Sequence, residues 1–189
     1  MPYAVALGVT QRTSAEGISM PESAPMIVAT PDDAEDIAHL RNRLAQWMVD
    51  NGIGQWVPGE YPAATVAEEA ARGEWFVWRE AGALIAAVRV VWRDPEFWGA
   101  DDDTDAGYIH GLMVAPEYRG RDLGGRIIQF CADYTIANGI TRQRLDTAAD
   151  NQVLRKYYAA HGFTELREAP LPPQFRGTTH VVLMEKMLA

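Results

Sequence analysis

The first strong hydrophobic pattern along the chain has helical spacing. It follows the segment Thr30-Pro31-Asp32-Asp33, in which a threonine, a proline and a carboxylate occupy the positions of a capping box. The apolar positions behind this segment recur every three or four residues: Ile37, Leu40, Leu44, Trp47 and Met48. The pattern predicts a helix with one buried face, preceded by a short strand at Met26–Ala29.

Strand and helix patterns then alternate along the rest of the chain. A short helix is predicted at residues 64–71, and a hairpin at 75–79 and 84–92 turns at Ala81-Gly82. Residues 93–107 carry six acidic residues and are predicted to form a loop. Further strands are predicted at 108–114, 144–148, 163–167 and 180–187, and further helices from the glycines near 125 to Asn138-Gly139 and over 151–161. This order indicates an α/β or α+β fold.

Composition narrows the class of protein. The chain has 189 residues and a formal net charge of -9, which argues against nucleic acid or an anionic membrane surface as a partner. Its single cysteine, Cys131, excludes an internal disulfide framework and a CxxC metal site. No apolar run reaches membrane-spanning length and no secretory signal is evident. We therefore expect a cytoplasmic protein with one folded domain over residues 26–189, behind a flexible N-terminal arm at residues 1–25.

One segment, Tyr108 to Gly125, carries recognisable chemistry. A predicted strand leads into a turn rich in glycine and arginine, and a helix follows at once. Backbone N–H groups at such a junction converge on one point, where the start of the helix adds partial positive charge. Arg119, Arg121 and Arg126 concentrate further positive charge there. The segment is interpreted as a cradle for a pyrophosphate or, alternatively, as a tight turn with solvated arginines; it lacks the spacing of a P-loop or of a GxGxxG fingerprint.

Two motifs in this half of the chain resemble a known family. The pattern Val114-x-Pro116-x-x-Arg119-Gly120-x-x-Leu123-Gly124 resembles motif A of the GNAT superfamily of N-acetyltransferases. About 30 residues later, Asn151-x-x-Leu154-x-x-Tyr157-Tyr158-x-x-x-Gly162-Phe163 is similar to its motif B. Asp122 departs from the family, because it occupies the place of the first core glycine. A carboxylate there would repel a phosphate, so we expect its side chain to point away or to cap the helix.

The resemblance implies a fold, a cofactor and a set of contacts. The fold would be α+β, a three-layer arrangement with a mixed, mostly antiparallel central sheet flanked by helices, and acetyl-CoA would be the acyl donor. Backbone groups of Leu112, Met113 and Val114 would pair with the pantetheine arm. Asn151 would hydrogen-bond the pantetheine or the acyl end. The pyrophosphate would be held by amides from one continuous turn: Arg119, Gly120, Arg121, Asp122, Leu123, Gly124 and Gly125.

Two residues are candidates for proton transfer. The resemblance places Tyr158 near the sulfur, where its phenol would protonate the departing thiolate; the alternative is a packing pair with Tyr157. His110 is the titratable candidate for the base that deprotonates the acceptor amine, directly or through water. Strand alternation puts His110 on the same face as Leu112 and Val114, a face that core packing also explains. Cys131 is expected to pack in the core, and we expect no metal ion.

The acceptor side is predicted from aromatic residues in two connections. Gln55, Trp56, Trp92, Phe97 and Trp98 fall where GNAT folds wall the acceptor pocket, although tryptophans also anchor long loops. The acidic run at residues 101–105 would attract cations. The expected acceptor is the primary amine of a small molecule, such as a cationic metabolite or an antibiotic, attacked in a ternary complex. The alternative is a non-catalytic module that binds acyl-CoA or sequesters small molecules; a homodimer is compatible with either.

Overall fold

Seven strands form a single sheet in a computed structural model of the chain, which describes residues 25–103, 105–172 and 174–188. The N-terminal arm predicted over residues 1–25 lies outside these ranges except for Pro25. The strand order is β1-β2-β3-β4-β5-β7-β6, and every neighbouring pair is antiparallel except β4 and β5. The strands are β1 (Ile27–Val28), β2 (Trp75–Glu80), β3 (Ala83–Val91), β4 (Gly107–Val114), β5 (Arg142–Ala148), β6 (Thr164–Pro170) and β7 (His180–Met187).

Helices cover both faces of the sheet. They are α1 (Ala34–Asp50), α2 (Ala63–Ala71), α3 (Pro95–Trp98), α4 (Leu123–Ala137) and α5 (Gln152–Ala160). A core cluster beneath α4 includes Ile127 and Cys131, and a second cluster beneath α1 and α2 includes Ile37 and Val66. The predicted α+β class, with a mixed and mostly antiparallel sheet between helical layers, is confirmed. Cys131 packs in the core as predicted, and burial raises the pKa of its thiol.

Local signals in the sequence account for the element boundaries. The Asp33 carboxylate accepts hydrogen bonds from the backbone N–H and the hydroxyl of Thr30, at 2.8 and 3.0 Å, so the predicted cap forms and leads through a short 3-10 turn into α1. Ala81 and Gly82 both have positive φ, the conformation that a two-residue hairpin turn between β2 and β3 requires. No helix among the described residues is both long and apolar enough to cross a membrane.

A bulge in β4 changes which side chains share a face. Ala87 pairs with Met113 and Arg89 pairs with His110, so β4 holds one residue more than β3 over this stretch. Gly111 lies within it at a φ of 54°, and a Cβ there would approach the Trp75 ring to 2.9 Å. The extra residue reverses the alternation beyond it.

The prediction that His110 shares a face with Leu112 and Val114 is therefore wrong. Leu112 and Val114 pack against the core beneath α4, whereas Met113 packs beneath α1 and α2. His110 precedes the bulge and keeps the parity of Tyr108, which lies in a third core cluster with Trp98. A strict period of two cannot cross an inserted residue without changing sides.

The parallel pair of strands separates before either strand ends. β4 pairs with β5 only from Gly107↔Gln143 to Ile109↔Leu145, although β4 continues to Val114 and β5 continues to Ala148. The backbone of β4 beyond Ile109 therefore has no β5 partner on this side. The opening lies at the carboxyl ends of both strands, and α4 and α5 begin shortly after it.

The acidic segment is tied to the body of the protein. Asp101 pairs with Arg167 at 2.7 Å, Asp102 with Arg93 at 2.6 Å, and Asp103 with Arg142 at 2.8 Å. Residues 93–107 were predicted as a solvated loop that attracts cations, but they contain α3 and a 3-10 turn at Gly99–Asp101. The prediction of a loop without helices is therefore wrong, because ion pairs with Arg93, Arg142 and Arg167 tie these carboxylates to the rest of the protein; the attraction of cations stays a prediction.

Candidate active site

A cavity of about 570 Å³ lies at the opening between β4 and β5. Its wall combines side chains from α1, β3, β4, β5 and α5 with the connection between α1 and α2 and the segment before β7. Among the side chains predicted for the site, the cavity brings together Gln55, Trp56, Phe97, His110, Leu112, Val114, Arg119 and Tyr158. Residues from the proposed donor, acceptor and proton-transfer groups thus share one space.

His110 lies between two carboxylates inside this cavity. Its Nε2 is 3.2 Å from Oδ2 of Asp94, and its Nδ1 is 3.7 Å from Oδ1 of Asp146. Burial lowers the pKa of the imidazole, but the contact with Asp94 and the charges of Asp94 and Asp146 outweigh burial, so the pKa is raised from its ordinary value. Burial raises the pKa of Asp146 to about 6. The ring is therefore held in orientation and readily accepts a proton.

The same three residues place their oxygen and nitrogen atoms within 4.8 Å of one another, a spacing that a metal ion could use. However, the two carboxylates face different nitrogens of one ring, so Asp94 and Asp146 flank the imidazole on opposite sides. Ligands of a single ion would converge on one nitrogen and the space beside it. The arrangement is that of a proton-accepting histidine held by two acids.

Tyr158 reaches the cavity from α5. Its ring packs against Phe163, with the centroids 6.0 Å apart, and against Tyr157 at 5.6 Å. Burial raises the pKa of the Tyr158 phenol, and the charges of Tyr157 and Asp146 add to the shift. The phenol therefore stays protonated at physiological pH, the state that a proton donor needs.

The turn between β4 and α4 fits a pyrophosphate. Gly120 has a φ of 80° and open space where a Cβ would lie, and Asp122, at a φ of 53°, is the last residue before α4. No side chain caps the start of this helix among the described residues, so its first N–H groups are available to an anion. Arg119 lies over the Trp47 ring at 4.0 Å and Arg121 over Tyr118 at 4.7 Å, both beside the turn.

Asp122 makes no capping hydrogen bond at the start of α4, so the second of the two expected arrangements, the cap, does not form. Its Oδ1 lies 2.7 Å from the position that a Cβ of Gly125 would take, and Nε2 of His161 lies 2.9 Å from the same position. The Asp122 carboxylate therefore sits against the first turn of α4, on the side where His161 ends α5. Gly125 leaves the room that both side chains occupy.

Gly124 is needed for a reason other than the one its motif suggests. A Cβ at this position would overlap the hydroxyl oxygen of Tyr157, and the ring carbon that carries the hydroxyl is 3.3 Å away. The missing side chain lets α5 approach the start of α4. A side chain at this position would therefore cause a clash between the two helices.

We expect Gly124→Ala to lower the free energy of unfolding by about 1–3 kcal/mol, the usual cost of overpacking. The double variant Gly124→Ala/Tyr157→Phe lacks the clashing oxygen and should recover more than half of that loss. Chemical denaturation of both variants, with Tyr157→Phe alone as the control, measures the difference. An equal loss in the single and double variants would show that the Tyr157 hydroxyl is not the obstacle.

Asn151 has a structural task at the start of α5. Its Oδ1 accepts a hydrogen bond from the Leu154 backbone N–H at 3.1 Å, and its Nδ2 donates to Oε1 of Gln55 at 3.0 Å. Both polar atoms of the amide therefore have a partner within the protein, and the contact of Asn151 with the pantetheine stays a prediction. The same bond fixes Gln55, so the connection between α1 and α2 is attached to motif B.

Two of the five predicted acceptor residues lie elsewhere. Trp98 is 1% exposed and packs between Tyr108 and Arg144, with the guanidinium carbon 4.4 Å from its ring centroid. Trp92 stacks on Tyr134 at 5.5 Å, on the α4 side of the sheet. Neither lines the cavity, which corrects their assignment to the acceptor: these tryptophans anchor the segment to the core, as the alternative interpretation held.

Three residues that line the cavity were not identified as site residues from the sequence. Asp94 is one of the six acidic residues of the predicted loop at 93–107, and it lies between a strand and a proline. Asp146 is a charged residue within the otherwise mostly apolar second half of β5, a signal that could have marked it. Arg41 lies among the apolar residues of α1 and is 6% exposed. A charged residue on the buried face of a predicted helix or strand was the available signal in the last two cases.

Comparisons with known proteins agree with this geometry. The model of the acetyltransferase (GNAT) family matches residues 41–163. An uncharacterized N-acetyltransferase, YesJ of Bacillus subtilis (strain 168), is 31% identical over 143 residues, which are 71% of this chain and 78% of that protein.

Two solved structures share the fold. An acetyltransferase of the GNAT family from Listeria monocytogenes 4b F2365 has a TM-score of 0.70 at 24% identity, with 86% of this chain and 94% of that chain covered. The PaiA N-acetyltransferase from Thermoplasma acidophilum, solved in complex with coenzyme A, has a TM-score of 0.66 at 15% identity, with 86% and 97% covered. The chain belongs to the GNAT family of acetyltransferases and is an acyltransferase that uses acetyl-CoA as its donor.

Proposed function

We propose that the chain transfers the acetyl group of acetyl-CoA directly to a primary amine of a small molecule, within a ternary complex. The observation that carries this proposal is that Tyr158 and the cluster of His110, Asp94 and Asp146 line one cavity. A protonated donor on α5 and a proton acceptor on β4 thus face the same space. Direct transfer needs no cysteine nucleophile, and Cys131 is buried away from the cavity.

The donor side uses the turn and the free edge of β4. Backbone N–H groups from Arg119 to Gly125 hold the pyrophosphate, and the unpaired edge of β4 at Leu112, Met113 and Val114 aligns the pantetheine arm. Bound acetyl-CoA supplies an acetyl group on a thioester at the end of that arm. The edge and the turn together orient the arm along the opening between β4 and β5, toward the cavity.

Proton transfers at three groups complete the reaction. An ammonium group entering the cavity meets the carboxylates of Asp94 and Asp146 and gives a first proton to the neutral ring of His110, directly or through water. The amine nitrogen then bonds to the acetyl carbon as the carbon–sulfur bond breaks, and Tyr158 gives its hydroxyl proton to the sulfur. The second proton leaves the nitrogen through water and restores the Tyr158 hydroxyl, and His110 releases the first proton to solvent, so that charge and protons balance.

The two segments that close the cavity on one side favour a small acceptor. The backbone N–H of Arg176 donates to Oε1 of Glu60 at 2.5 Å, which joins the segment before β7 to the connection between α1 and α2. A Cβ at Gly177 would lie only 2.6 Å from the carbonyl oxygen of Gly54, so the two segments touch. This closure leaves less room for a folded protein than for a small molecule. Trp56, Phe97 and Gln55 line the enclosed space and are the proposed acceptor contacts.

The proposal predicts amine-dependent release of thiol from acetyl-CoA. The panel comprises aminoglycosides, polyamines, amino acids and short peptides. Initial rates with the best acceptor should give intersecting double-reciprocal lines, because both substrates bind before any product leaves. Parallel lines would indicate an acetyl-enzyme intermediate and contradict direct transfer. Tight binding of acetyl-CoA without amine-dependent thiol release would instead favour a non-catalytic binding module.

A further inference from the structure

We propose that the acceptor carries a carboxylate as well as its primary amine, and that Arg41 binds this carboxylate. The inference rests on the proposed function and makes it more specific, because it names an amino acid or a similar amino-carboxylate as the substrate class. It is carried by a buried cation in the cavity wall that forms no ion pair with any residue the structure describes.

Arg41 is almost completely enclosed. It projects from α1 into the cavity wall and is 6% exposed. Its guanidinium carbon lies 4.8 Å from the ring centroid of Trp56 and 4.8 Å from that of Tyr61. Two aromatic faces thus hold the plane of the group, and a planar guanidinium held in this way is prepared for bidentate contact with a carboxylate.

No carboxylate among the described residues pairs with this group. Among the residues that the structure describes, none forms an ion pair with Arg41, and its buried Nη1 has no hydrogen-bond partner. Glu69 is nearby, but it accepts from the Tyr61 hydroxyl and from Nε1 of Trp75 at 2.7 Å, and it pairs with Arg89 at 3.1 Å. Burial lowers the pKa of Arg41, and the charges of Glu60, Tyr61 and Glu69 offset this only in part. A buried cation left without a counter-ion is costly.

Arg144 shows how this chain treats a comparable side chain that has only a structural role. It is also 6% exposed and also lies over a tryptophan, Trp98, at 4.4 Å. Yet its Nε donates to Glu185 at 2.9 Å and its Nη1 donates to the Tyr108 hydroxyl at 3.1 Å. Contact with an aromatic ring therefore does not replace ion pairing here. Of these two arginines, only Arg41 lines the cavity, and it has no ion pair in the part of the chain that the structure describes.

The position of Arg41 suits a molecule that also reaches His110. Arg41 contacts Tyr61, the Tyr61 hydroxyl bonds Glu69, and Glu69 pairs with Arg89. Arg89 lies directly opposite His110 in the register of β3 and β4. The cationic group and the base therefore belong to one continuous wall. An amino-carboxylate would place its ammonium among the carboxylates around His110 and its carboxylate against Arg41.

The test uses matched acceptors that differ only in the acidic group. Each set contains an amino acid, its primary carboxamide and the amine without the carboxyl group, in an α-amino series and in an ω-amino series from β-alanine to 6-aminohexanoate. For the wild type we expect kcat/KM to be about 10–100-fold higher for the acid than for its two analogues in at least one set, as is typical of a buried charge-assisted contact. The best chain length reports the span from Arg41 to the thioester.

Arg41→Gln should lower kcat/KM for the acid by about 10–100-fold while changing the two analogues by less than about threefold. Arg43→Gln is the matched control, because Arg43 lies on the same helix but pairs with Glu117 at the surface. It should leave the ratios unchanged. Equal rates for the acid and its analogues in the wild type, or an unchanged ratio in Arg41→Gln, would overturn the inference while leaving acetyl transfer to amines intact.

A binding measurement separates this inference from the proposed function. N-acetylated amino acids keep the carboxylate and have no reactive amine, so they can be titrated into the wild type in the presence of coenzyme A by calorimetry. Binding of these acids but not of their amides, lost in Arg41→Gln, would support the carboxylate site even if no amine were acetylated. If Arg41→Gln fails to fold, the acid-to-amide ratio of the wild type decides alone.

Discussion

Replacing Tyr158 with phenylalanine is expected to lower kcat by about 10²-fold and to leave the affinity for acetyl-CoA nearly unchanged. The substitution removes only the hydroxyl, so the packing of the ring on Phe163 remains. Burial keeps the phenol protonated by raising its pKa, which suits a group that gives a proton to a departing thiolate. Thiol release measures kcat, and calorimetry with coenzyme A measures the affinity.

Tyr157→Phe provides the control for this prediction. Tyr157 is the preceding residue on α5. The substitution also removes one hydroxyl, but this hydroxyl lies against Gly124, and Tyr157 does not line the cavity. Its kcat should stay within about threefold of the wild type, because no proton transfer depends on it. If both variants turn over at the wild-type rate, the Tyr158 phenol is structural and water protonates the sulfur.

Most of the fold could be predicted because its signals are local. The cap at Thr30, the Ala81-Gly82 turn and the helical spacing of apolar residues each act over a few residues, and the structure contains the corresponding elements close to the predicted bounds. The segment 93–107 could not be predicted in this way. Its form depends on arginines that are distant in sequence, such as Arg142 and Arg167, which pair with its carboxylates.

The local framework of the candidate site was predictable, whereas the surroundings of its side chains were less so. Motif A lies on a strand, a turn and a helix that are contiguous, so its glycines and Arg119 could be placed from the sequence alone. The surroundings of His110 come from Asp94, before α3, and Asp146, on β5, which only the folded sheet brings together. The bulge at Gly111 also reversed the side on which His110 lies relative to Leu112, and no periodic pattern reports an inserted residue.

We expect kcat/KM to rise with pH as His110 loses its proton, with an apparent pKa above 6.5. The rise follows from the role of His110 as a base, because a base acts in its neutral form. The shift to higher pH follows because the carboxylates of Asp94 and Asp146 stabilise the protonated ring. Asp146, with a pKa of about 6, titrates in the same range, so the profile reports the cluster rather than one group. Asp94→Asn should move the rising limb to lower pH, because it removes the partner that most favours the charged ring.

The His110→Gln variant distinguishes the titration of the His110 ring from that of the acceptor amine in this pH profile. Deprotonation of the acceptor amine also makes kcat/KM rise with pH, and this rise should remain in the variant. The rise that is due to His110 should be absent. At the plateau of the wild type we expect kcat/KM to fall by about 10²-fold, the lower end of the range for a lost general base. Asp105→Asn, which changes an exposed carboxylate outside the cavity wall, should leave the profile unchanged. If His110→Gln keeps both the rate and the shape of the profile, water removes the proton without the ring, and the two carboxylates serve only to attract the ammonium group.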